Sequence, residues 1–513
     1  MSYFPSKEEF LKLSRKGNLI PVYKEILADV DTPVSVYFKL AQKAKYSFLL
    51  ESVEGEEKIA RYSFLATDPE MVIRSKNKNL EIFYLKNGVG LRPTKSKEIR
   101  RITDTPLSHI KEILSQYRFV NIPGLPRFCG GMVGYLGYDV VRFFERLPNR
   151  PKDDLNLPDL LFVLAKDLVI FDHLNHKMKV VSCAQIDPKT SAGQKEAAYR
   201  RATQQIDKTV AKITKSLTMA WGKTPRGKIK NKANLTAVHS NFTPAKFERI
   251  IQKAKKKIRA GDIIQVVLSQ RFCVKLATDP FDLYRSLRVL NPSPYMYYLN
   301  FDDLQIVGSS PELLVRCEDG VVETRPIAGT RKRGKDEKED DALAKDLLKD
   351  PKERAEHIML VDLGRNDLGR VCRRGSVKVD QFMIVEKYSH VMHIVSNVKG
   401  NLKQGKDVFD VLQAAFPAGT VSGAPKIRAM EIIDELENVS RGPYAGCIGY
   451  FSFSGNLDSC ITIRTIVVTD GNAYIQAGAG IVADSVPQKE YKETVNKARA
   501  QVLAIEKAYK QFA

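Results

Sequence analysis

Strand-like runs of apolar residues recur along the whole chain, but no regular strand–helix–strand rhythm connects them. Examples are residues 47–52 (SFLLES), 160–164 (LLFVL), 168–171 (LVIF) and 263–268 (IIQVVL). Segments with helical periodicity stand between some of these runs and not between others. Because parallel α/β folds alternate strands and helices regularly, this order predicts an α+β protein.

Composition divides the chain into three parts. Residues 1–222 mix strand-like runs with turns and end in a helical segment rich in Ala, Gln and Lys. Residues 223–240 combine Pro, Gly and basic residues without periodicity, which predicts a basic linker. Residues 241–513 form a second large unit, so the sequence predicts an N-terminal and a C-terminal domain on either side of the linker.

Local signals place several elements in the second unit. Thr243 and Asp350 each precede a proline and predict capped helix starts, the second helix running to about residue 366. A last helix is predicted over residues 488–509. Residues 446–453 and 460–468 are apolar and predict a pair of strands around a turn at Ser454.

Cysteine usage and hydropathy indicate a cytoplasmic protein. The seven cysteines are widely spaced and odd in number, which argues against disulfides or structural zinc and for a reducing compartment. The N-terminal segment has no apolar stretch of signal-peptide length, and no run of about 18 apolar residues occurs.

The formal net charge of +22 raises nucleic acid as a partner. Residues 208–246 contain no Asp or Glu, and a further basic run follows at residues 253–259. Aromatic residues are not interleaved with these charges for base stacking, so a solvated basic helix and linker is the favoured interpretation.

Carboxylates on two predicted helices form the first candidate site. Glu356 shares a helical face with apolar residues, and Glu490, Glu493 and Lys497 lie on one face of the last helix. Carboxylates brought together from two helices could hold Mg²⁺, which takes oxygen ligands. Spacing alone favours the simpler alternative, a surface ion pair between Glu493 and Lys497.

Two segments of small residues could approach an anion with backbone N–H groups. Residues 476–482 (QAGAGIV) fit such a role, but a tight structural turn is the favoured interpretation. Residues 419–426 (GTVSGAPK) precede a predicted helix, and either a carboxylate site at its N-terminus or an ordinary capped helix fits them.

Histidine and cysteine patterns exclude other chemistry. His390 and His393 would face opposite sides of a strand, so they make a poor metal pair, and a structural role is the ordinary expectation for each. Cys447 lies in a segment resembling the nucleophile turn of glutamine amidotransferases, but no histidine follows it. The chain is therefore not expected to hydrolyse glutamine.

Taken in order, several segments resemble the chorismate-utilising enzymes over nearly the whole chain. The matching segments are residues 49–52 (LLES), 61–64 (RYSF), 261–271 (GDIIQVVLSQR), 308–314 (GSSPELL), 325–331 (RPIAGTR), 356–367 (EHIMLVDLGRND), 422–426 (SGAPK) and 476–485. The resemblance implies two large antiparallel β-sheets, packed roughly orthogonally and flanked by helices.

The resemblance also implies roles for individual residues. Glu356 and Glu493 match Mg²⁺ ligands that would hold the ring carboxylate of chorismate. Glu312 matches the acid that protonates the departing C4 hydroxyl, His393 the histidine associated with loss of pyruvate, and Thr420 a third catalytic position. The positions that match substrate contacts are Gly329, Thr330, Tyr450, Arg464, Gly478, Ala479, Gly480 and Lys497.

Two positions favour the ammonia-dependent branch, which makes anthranilate for tryptophan biosynthesis. Gln265 stands where isochorismate synthases carry a lysine that activates water, and ammonia needs no such activation. Ala328 stands where aminodeoxychorismate synthases carry a lysine nucleophile. The resemblance implies that a separate amidotransferase subunit supplies ammonia from glutamine, as a heterodimer or heterotetramer. Isochorismate and aminodeoxychorismate synthesis remain the alternatives.

A regulatory site is implied by a third resemblance. Ser52, Pro294, Tyr295 and Met296 match the pocket that binds tryptophan as a feedback inhibitor; ordinary β-core packing is the alternative. Two other classes remain open, a basic nucleic-acid-binding protein and an inactive tryptophan-binding regulator. The presence of Glu312, Glu356, Arg464 and Glu493 together opposes the inactive regulator.

Overall fold

The computed structural model describes residues 2–53, 61–85, 97–187, 189–215, 237–388 and 391–512. His390 and most of the predicted linker at 223–240 lie outside the described residues. Within the described residues, no helix is both long enough and apolar enough to cross a membrane. The seven cysteines are all unpaired, and the cytoplasmic location stays a prediction.

Strands supply most of the framework. In chain order they are β1 (Leu19–Leu27), β2 (Tyr46–Glu51), β3 (Tyr62–Thr67), β4 (Met71–Lys76), β5 (Asn79–Tyr84), β6 (Lys97–Arg101), β7 (Gly131–Leu136), β8 (Leu160–Ala165), β9 (Asp167–Asp172), β10 (Lys177–Gln185), β11 (His239–Ser240), β12 (Gln265–Lys275), β13 (Tyr295–Phe301), β14 (Leu304–Ser310), β15 (Leu313–Glu318), β16 (Val321–Thr324), β17 (Ile327–Lys332), β18 (Lys378–Lys387), β19 (Val391–Asn401), β20 (Gly423–Ala424), β21 (Cys447–Ser452), β22 (Leu457–Ile461), β23 (Thr465–Thr469) and β24 (Asn472–Ile481).

Helices flank the strands. They are α1 (Lys7–Leu13), α2 (Pro33–Ala41), α3 (Pro106–Ser115), α4 (Ala192–Thr214), α5 (Pro244–Arg259), α6 (Pro280–Leu290), α7 (Glu337–Lys349), α8 (Pro351–Gly369), α9 (Val408–Ala415), α10 (Gly419–Ser422), α11 (Lys426–Leu436) and α12 (Pro487–Phe512), with a 3₁₀ helix at Tyr138–Phe143. The predicted starts are confirmed, because the Thr243 and Asp350 side chains accept hydrogen bonds from the first turns of α5 and α8.

The strands form two twelve-stranded sheets, and every described strand pair is antiparallel. The first sheet runs β1-β10-β9-β3-β2-β13-β14-β23-β24-β12-β11, with β20 on β12. The second runs β17-β19-β16-β15-β22-β21-β7-β8-β4-β5-β6, with β18 on β19. The predicted α+β class, with two large antiparallel sheets flanked by helices, is confirmed.

Each sheet combines strands from both ends of the chain. In the first sheet β2 pairs with β13, so that Glu51 opposes Met296. In the second sheet β7 pairs with β21, so that Gly134 opposes Gly449. The largest buried apolar cluster likewise draws on residues before and after the 223–240 segment. The two predicted domains therefore share their sheets and core, and the proposed boundaries stay a prediction.

One predicted strand is wrong in an informative way. Residues 460–468 do not form a single strand, because β22 ends at Ile461 in the second sheet and β23 begins at Thr465 in the first. Arg464 lies at this crossover with a φ of 53°, a left-handed conformation that is uncommon for a residue with a side chain. The apolar run at residues 460–468 continues through the crossover, so hydropathy does not indicate that the chain passes from one sheet to the other.

Candidate active site

Helices α8 and α12 carry the two predicted metal-binding carboxylates. Glu356 on α8 accepts a hydrogen bond from Gln265 Nε2 at 3.3 Å. Glu493 on α12 lies 2.7 Å from Lys497 Nζ, one helical turn further on. The ion pair expected from spacing alone is thus present, and it does not exclude a metal role, because a carboxylate has two oxygens and several lone pairs.

The chemistry around these carboxylates fits Mg²⁺. Burial raises the pKa of Glu353, and the neighbouring Glu356 raises it further. Burial also raises the pKa of Glu490, Glu493 adds to the rise, and Lys352 of α8 opposes it. Excess negative charge offered by oxygen atoms alone suits Mg²⁺, which uses one or two protein carboxylates and keeps water or substrate as further ligands.

Strand β24 forms a wall of the site, and its glycines make room for polar side chains. A Cβ atom at Gly478 would lie 2.7 Å from the Tyr444 hydroxyl, and one at Gly480 would lie 2.5 Å from Gln265 Nε2. Ala479 faces the opposite side and is fully buried. The tight turn favoured from the sequence is wrong, because this segment is a strand that pairs with β12.

Two cations stand next to this wall. Lys497 Nζ donates to the carbonyl oxygen of Gly478 at 3.0 Å. Arg464 Nη1 donates to the backbone carbonyl of Lys497 at 2.9 Å. Burial lowers the pKa of Arg464, but guanidinium groups stay charged in proteins, so both side chains offer positive charge to an anionic ligand.

Glu312 lies between β14 and β15 and is buried. Burial raises the pKa of Glu312 from 4.5 to about 7, against the opposing effects of Thr420 and then Lys497. The Thr420 hydroxyl is buried and forms no hydrogen bond with a described residue, but it lies near enough to this carboxyl to oppose the rise in the pKa of Glu312. A carboxyl group in this state can donate a proton near neutral pH.

His393 on β19 contacts the predicted pair Gly329 and Thr330. Its Nδ1 lies 2.8 Å from the carbonyl oxygen of Gly329 and 3.1 Å from Thr330 Oγ1. Gly329 has a φ of 67°, and a Cβ atom there would lie 3.1 Å from Glu353 Oε2. Burial lowers the pKa of His393, and Arg464 is among the charges that affect it. His393 thus contacts Gly329 and Thr330 and lies within the electrostatic influence of Arg464.

Tyr450 is not brought together with the other predicted substrate contacts. Its hydroxyl accepts a hydrogen bond from Arg127 Nε at 3.1 Å, and its ring stacks on Phe128. It lines a different pocket, described below. The tyrosine beside the glycine wall is Tyr444, whose ring also lies near Arg441. Sequence reasoning missed it, although both tyrosines stand in the same segment.

A second pocket gathers all four residues of the predicted regulatory site. It is lined by Ser52, Pro294, Tyr295 and Met296, together with Tyr450. The Tyr295 hydroxyl donates to Asp458 at 3.0 Å. The Ser52 hydroxyl is buried and has no hydrogen-bond partner among the described residues. Polar groups therefore line this cavity, as an amino-acid ligand would require.

A buried ion pair between Arg441 and Glu437 holds two segments that carry site residues. It was not predicted from the sequence. Arg441 bonds Glu437 at 2.6 Å, and it donates to the carbonyl oxygens of Val421 and Val267 at 2.7 Å each. These carbonyls belong to α10, which carries Thr420, and to β12. The i,i+4 spacing of the pair is the same as that of exposed helix pairs, so only burial distinguishes it.

A known protein family and several known sequences match this chain over most of its length. The chorismate binding enzyme family matches residues 45–502. Anthranilate synthase component 1 of Acetivibrio thermocellus is 51% identical over 509 residues, covering 99% of each chain. The Aquifex aeolicus protein of the same name is 51% identical over 501 residues, covering 98% of this chain and 97% of its own.

Solved structures show the same fold. Anthranilate synthase component I from Streptococcus pneumoniae superposes with a TM-score of 0.73 at 38% identity, covering 93% of this chain and 99% of its own. The menaquinone-specific isochorismate synthase from Escherichia coli gives a TM-score of 0.66 at 19% identity, covering 97% and 98%. The second likeness concerns the fold alone.

Proposed function

The chain belongs to the anthranilate synthase component 1 family of chorismate-binding enzymes, and from that premise we propose how its residues convert chorismate and ammonia to anthranilate and pyruvate. The observation that carries the proposal is the pair of hydrogen bonds that joins Lys497 to Gly478 and Arg464 to the backbone of Lys497. Burial raises the pKa of Glu312 against the opposing charge of Lys497, and burial and the charge of Arg464 lower the pKa of His393, so both residues lie within electrostatic range of this group. Together these residues would supply a proton donor, two cations and a neutral histidine.

Substrate binding rests on charge complementarity, because chorismate is a dianion. Arg464 and Lys497 would bind its carboxylates. Gly478 and Gly480 leave room for the Tyr444 hydroxyl and the Gln265 amide beside the substrate. Tyr444, rather than Tyr450, would complete this wall. Glu356 and Glu493 would hold Mg²⁺, which when bound would neutralise the ring carboxylate.

In the first step ammonia adds at C2 while the C4 hydroxyl departs. Glu312 in its protonated form gives its proton to the leaving hydroxyl, which becomes water. The new ammonium nitrogen loses a proton, so the charge balances. A pKa of about 7 is suited to this task, since about half of the acid is protonated at neutral pH and the proton is still transferred readily. Thr420 lies beside the carboxyl that performs the transfer.

In the second step the aminated intermediate loses pyruvate. His393 donates from Nδ1 to Gly329, which leaves Nε2 unprotonated and able to accept the proton at C2. Breaking the ether bond then releases pyruvate as its enolate, and the ring becomes aromatic. The enolate takes up the proton that His393 has accepted and becomes pyruvate. The lowered pKa of His393 keeps the imidazole neutral and so available as a base.

Ammonia would come from glutamine through a separate amidotransferase subunit, in a heterodimer or heterotetramer. The name component 1, which the relatives carry, implies a partner. The candidate thiol within this chain is unsuited to the task, because burial raises the pKa of Cys447 to about 12. A thiol in that state is a poor nucleophile.

Tryptophan would inhibit by binding the second pocket at Ser52, Pro294, Tyr295 and Met296. A short path leads from there to Glu312: Tyr295 pairs in register with Ser310, whose hydroxyl lies 3.4 Å from the backbone nitrogen of Glu312. A ligand that shifts β13 would thereby shift the catalytic acid. Such coupling is reciprocal, so chorismate would weaken tryptophan binding.

The first experiment is anthranilate fluorescence from the purified chain with chorismate, Mg²⁺ and ammonium. We expect product that is suppressed by tryptophan and by EDTA, and no product with glutamine alone. Formation of isochorismate, or release of the aminated intermediate, would instead assign the chain to an alternative reaction. Gln265 argues against the water-dependent reaction, because its neutral amide beside Glu356 cannot act as a base.

A further inference from the structure

A cluster of basic residues surrounds a pocket at the C-terminal end of α8, outside both sites described above. We call it the basic pocket; its charged lining residues are Arg365, Arg370, Arg373, Arg374 and Lys403. The cavity measures ≈ 620 Å³, and its other lining residues are small or uncharged. Among the residues that the structure describes, no acidic and no aromatic side chain lines it.

Three of these charges are uncompensated. Arg365 pairs with the exposed Asp362 at 2.9 Å, and Arg370 lies 3.8 Å from Glu145. Arg373, Arg374 and Lys403 are exposed and form no ion pair with any described acidic residue. Like charges held together repel one another, and an anionic partner relieves that repulsion.

The basic pocket adjoins the catalytic machinery through α8. This helix carries Glu356, and its residues Leu360, Leu363, Gly364 and Asp367 line a narrow cavity that ends at Glu312 and Thr420. Asn366 and Gly369, on the same helical turns, line the basic pocket. A partner seated on the basic pocket would therefore contact the helix that walls this cavity.

We propose that the basic pocket is the docking surface for an acidic segment of the ammonia-supplying subunit. The inference rests on the proposed function only in assuming that ammonia comes from a separate subunit. Guanidinium groups bind carboxylates bidentately, which suits Asp and Glu side chains. Single-stranded nucleic acid is the less suited polyanion, because the pocket offers no aromatic ring for base stacking.

The test compares two nitrogen sources in one enzyme complex. The double variant Arg373→Glu/Arg374→Glu is combined with its amidotransferase subunit, and anthranilate formation is measured with ammonium and with glutamine. We expect ammonium-dependent activity within about twofold of wild type and glutamine-dependent activity lowered at least about tenfold, since like charges facing each other across an interface oppose association. The wild-type complex should also dissociate more readily as salt rises.

The matched control is Arg200→Glu/Arg201→Glu on α4, which makes the same charge change at exposed positions. It should retain both activities. If the charge-reversed variant also loses ammonium-dependent activity, Arg373→Gln/Arg374→Gln is compared in the same way. Glutamine-dependent activity equal to that of the wild type in these variants would overturn the proposal. The same holds if the variants lose binding to nucleic acid while their glutamine-dependent activity is unchanged, because the pocket would then bind nucleic acid rather than the subunit. Absent ammonium-dependent activity in the wild type would refute the proposed function instead.

Discussion

The Nδ1 atom of His393 lies 2.8 Å from the carbonyl oxygen of Gly329. A carbonyl oxygen only accepts, so Nδ1 carries the proton and Nε2 is left as the basic atom of the neutral ring. The backbone of β17 therefore sets the tautomer of a side chain on β19. This assignment leads to a prediction about which chemical step depends on His393.

Replacing His393 with alanine should uncouple the two steps. Chorismate consumption should persist, because Glu312 is intact, while loss of pyruvate slows by about 100-fold or more, the usual contribution of a positioned base. The measurement is chromatography of the reaction mixture alongside anthranilate fluorescence. Accumulation of an aminated intermediate is expected. Equal slowing of chorismate consumption and anthranilate release would contradict the assignment.

Glu312 should impose a basic limit on activity. Because its pKa is about 7, the fraction of enzyme holding the required proton falls as pH rises above that value. The rate should be measured at a fixed concentration of free ammonia, since ammonia itself increases with pH. Glu312→Gln keeps the shape of the side chain but cannot supply the proton, and should lower kcat by about 100-fold or more.

The same substitution should stabilise the protein at high pH. The folded state raises the pKa of Glu312 from 4.5 to about 7, so it binds this proton more tightly than the unfolded chain does. The wild type therefore loses stability as pH rises from 4.5 to about 7, by up to about 3 kcal/mol, and the loss persists above that range. Thermal unfolding of wild type and Glu312→Gln should coincide at low pH and diverge by pH 8. Parallel curves would refute the shifted pKa.

The ordered motifs allowed much of this site to be predicted from sequence. Glu312, His393 and the glycines of β24 are each predicted from these motifs, and the structure brings Lys497 against Gly478 and His393 against Gly329 and Thr330. Arg464 was also assigned, but its position between two sheets was not predicted, because apolar runs do not record a change of sheet. The Arg441–Glu437 pair was not predicted, because its i,i+4 separation in sequence is also that of exposed ion pairs on helix surfaces. Burial by distant segments is a tertiary property that local patterns do not encode.

Tyr444 and Tyr450 offer a test of the two pockets. Tyr444 adjoins Gly478, whereas Tyr450 lines the pocket with Met296. Tyr444→Phe should raise KM for chorismate several-fold, by about 1 kcal/mol for one lost hydrogen bond, and leave tryptophan inhibition intact. Tyr450→Phe should weaken tryptophan inhibition and leave the KM for chorismate unchanged. The measurements are the inhibition constant for tryptophan and the KM for chorismate of both variants. A raised KM for Tyr450→Phe alone would show that Tyr450 is the substrate contact, as predicted from the sequence.

Arg441 should be among the residues most needed for stability. Its side chain and that of Glu437 are each 2% exposed, and Glu437 Oε1 also accepts from the Ser269 backbone at 2.8 Å. Arg441→Met leaves that carboxylate buried and unpaired, which costs about 3–5 kcal/mol. The double variant Arg441→Met/Glu437→Gln removes the stranded charge and should unfold at a higher temperature than Arg441→Met. Thermal unfolding of the four proteins of this cycle measures the coupling, and additive losses would mean that the pair contributes nothing as a pair.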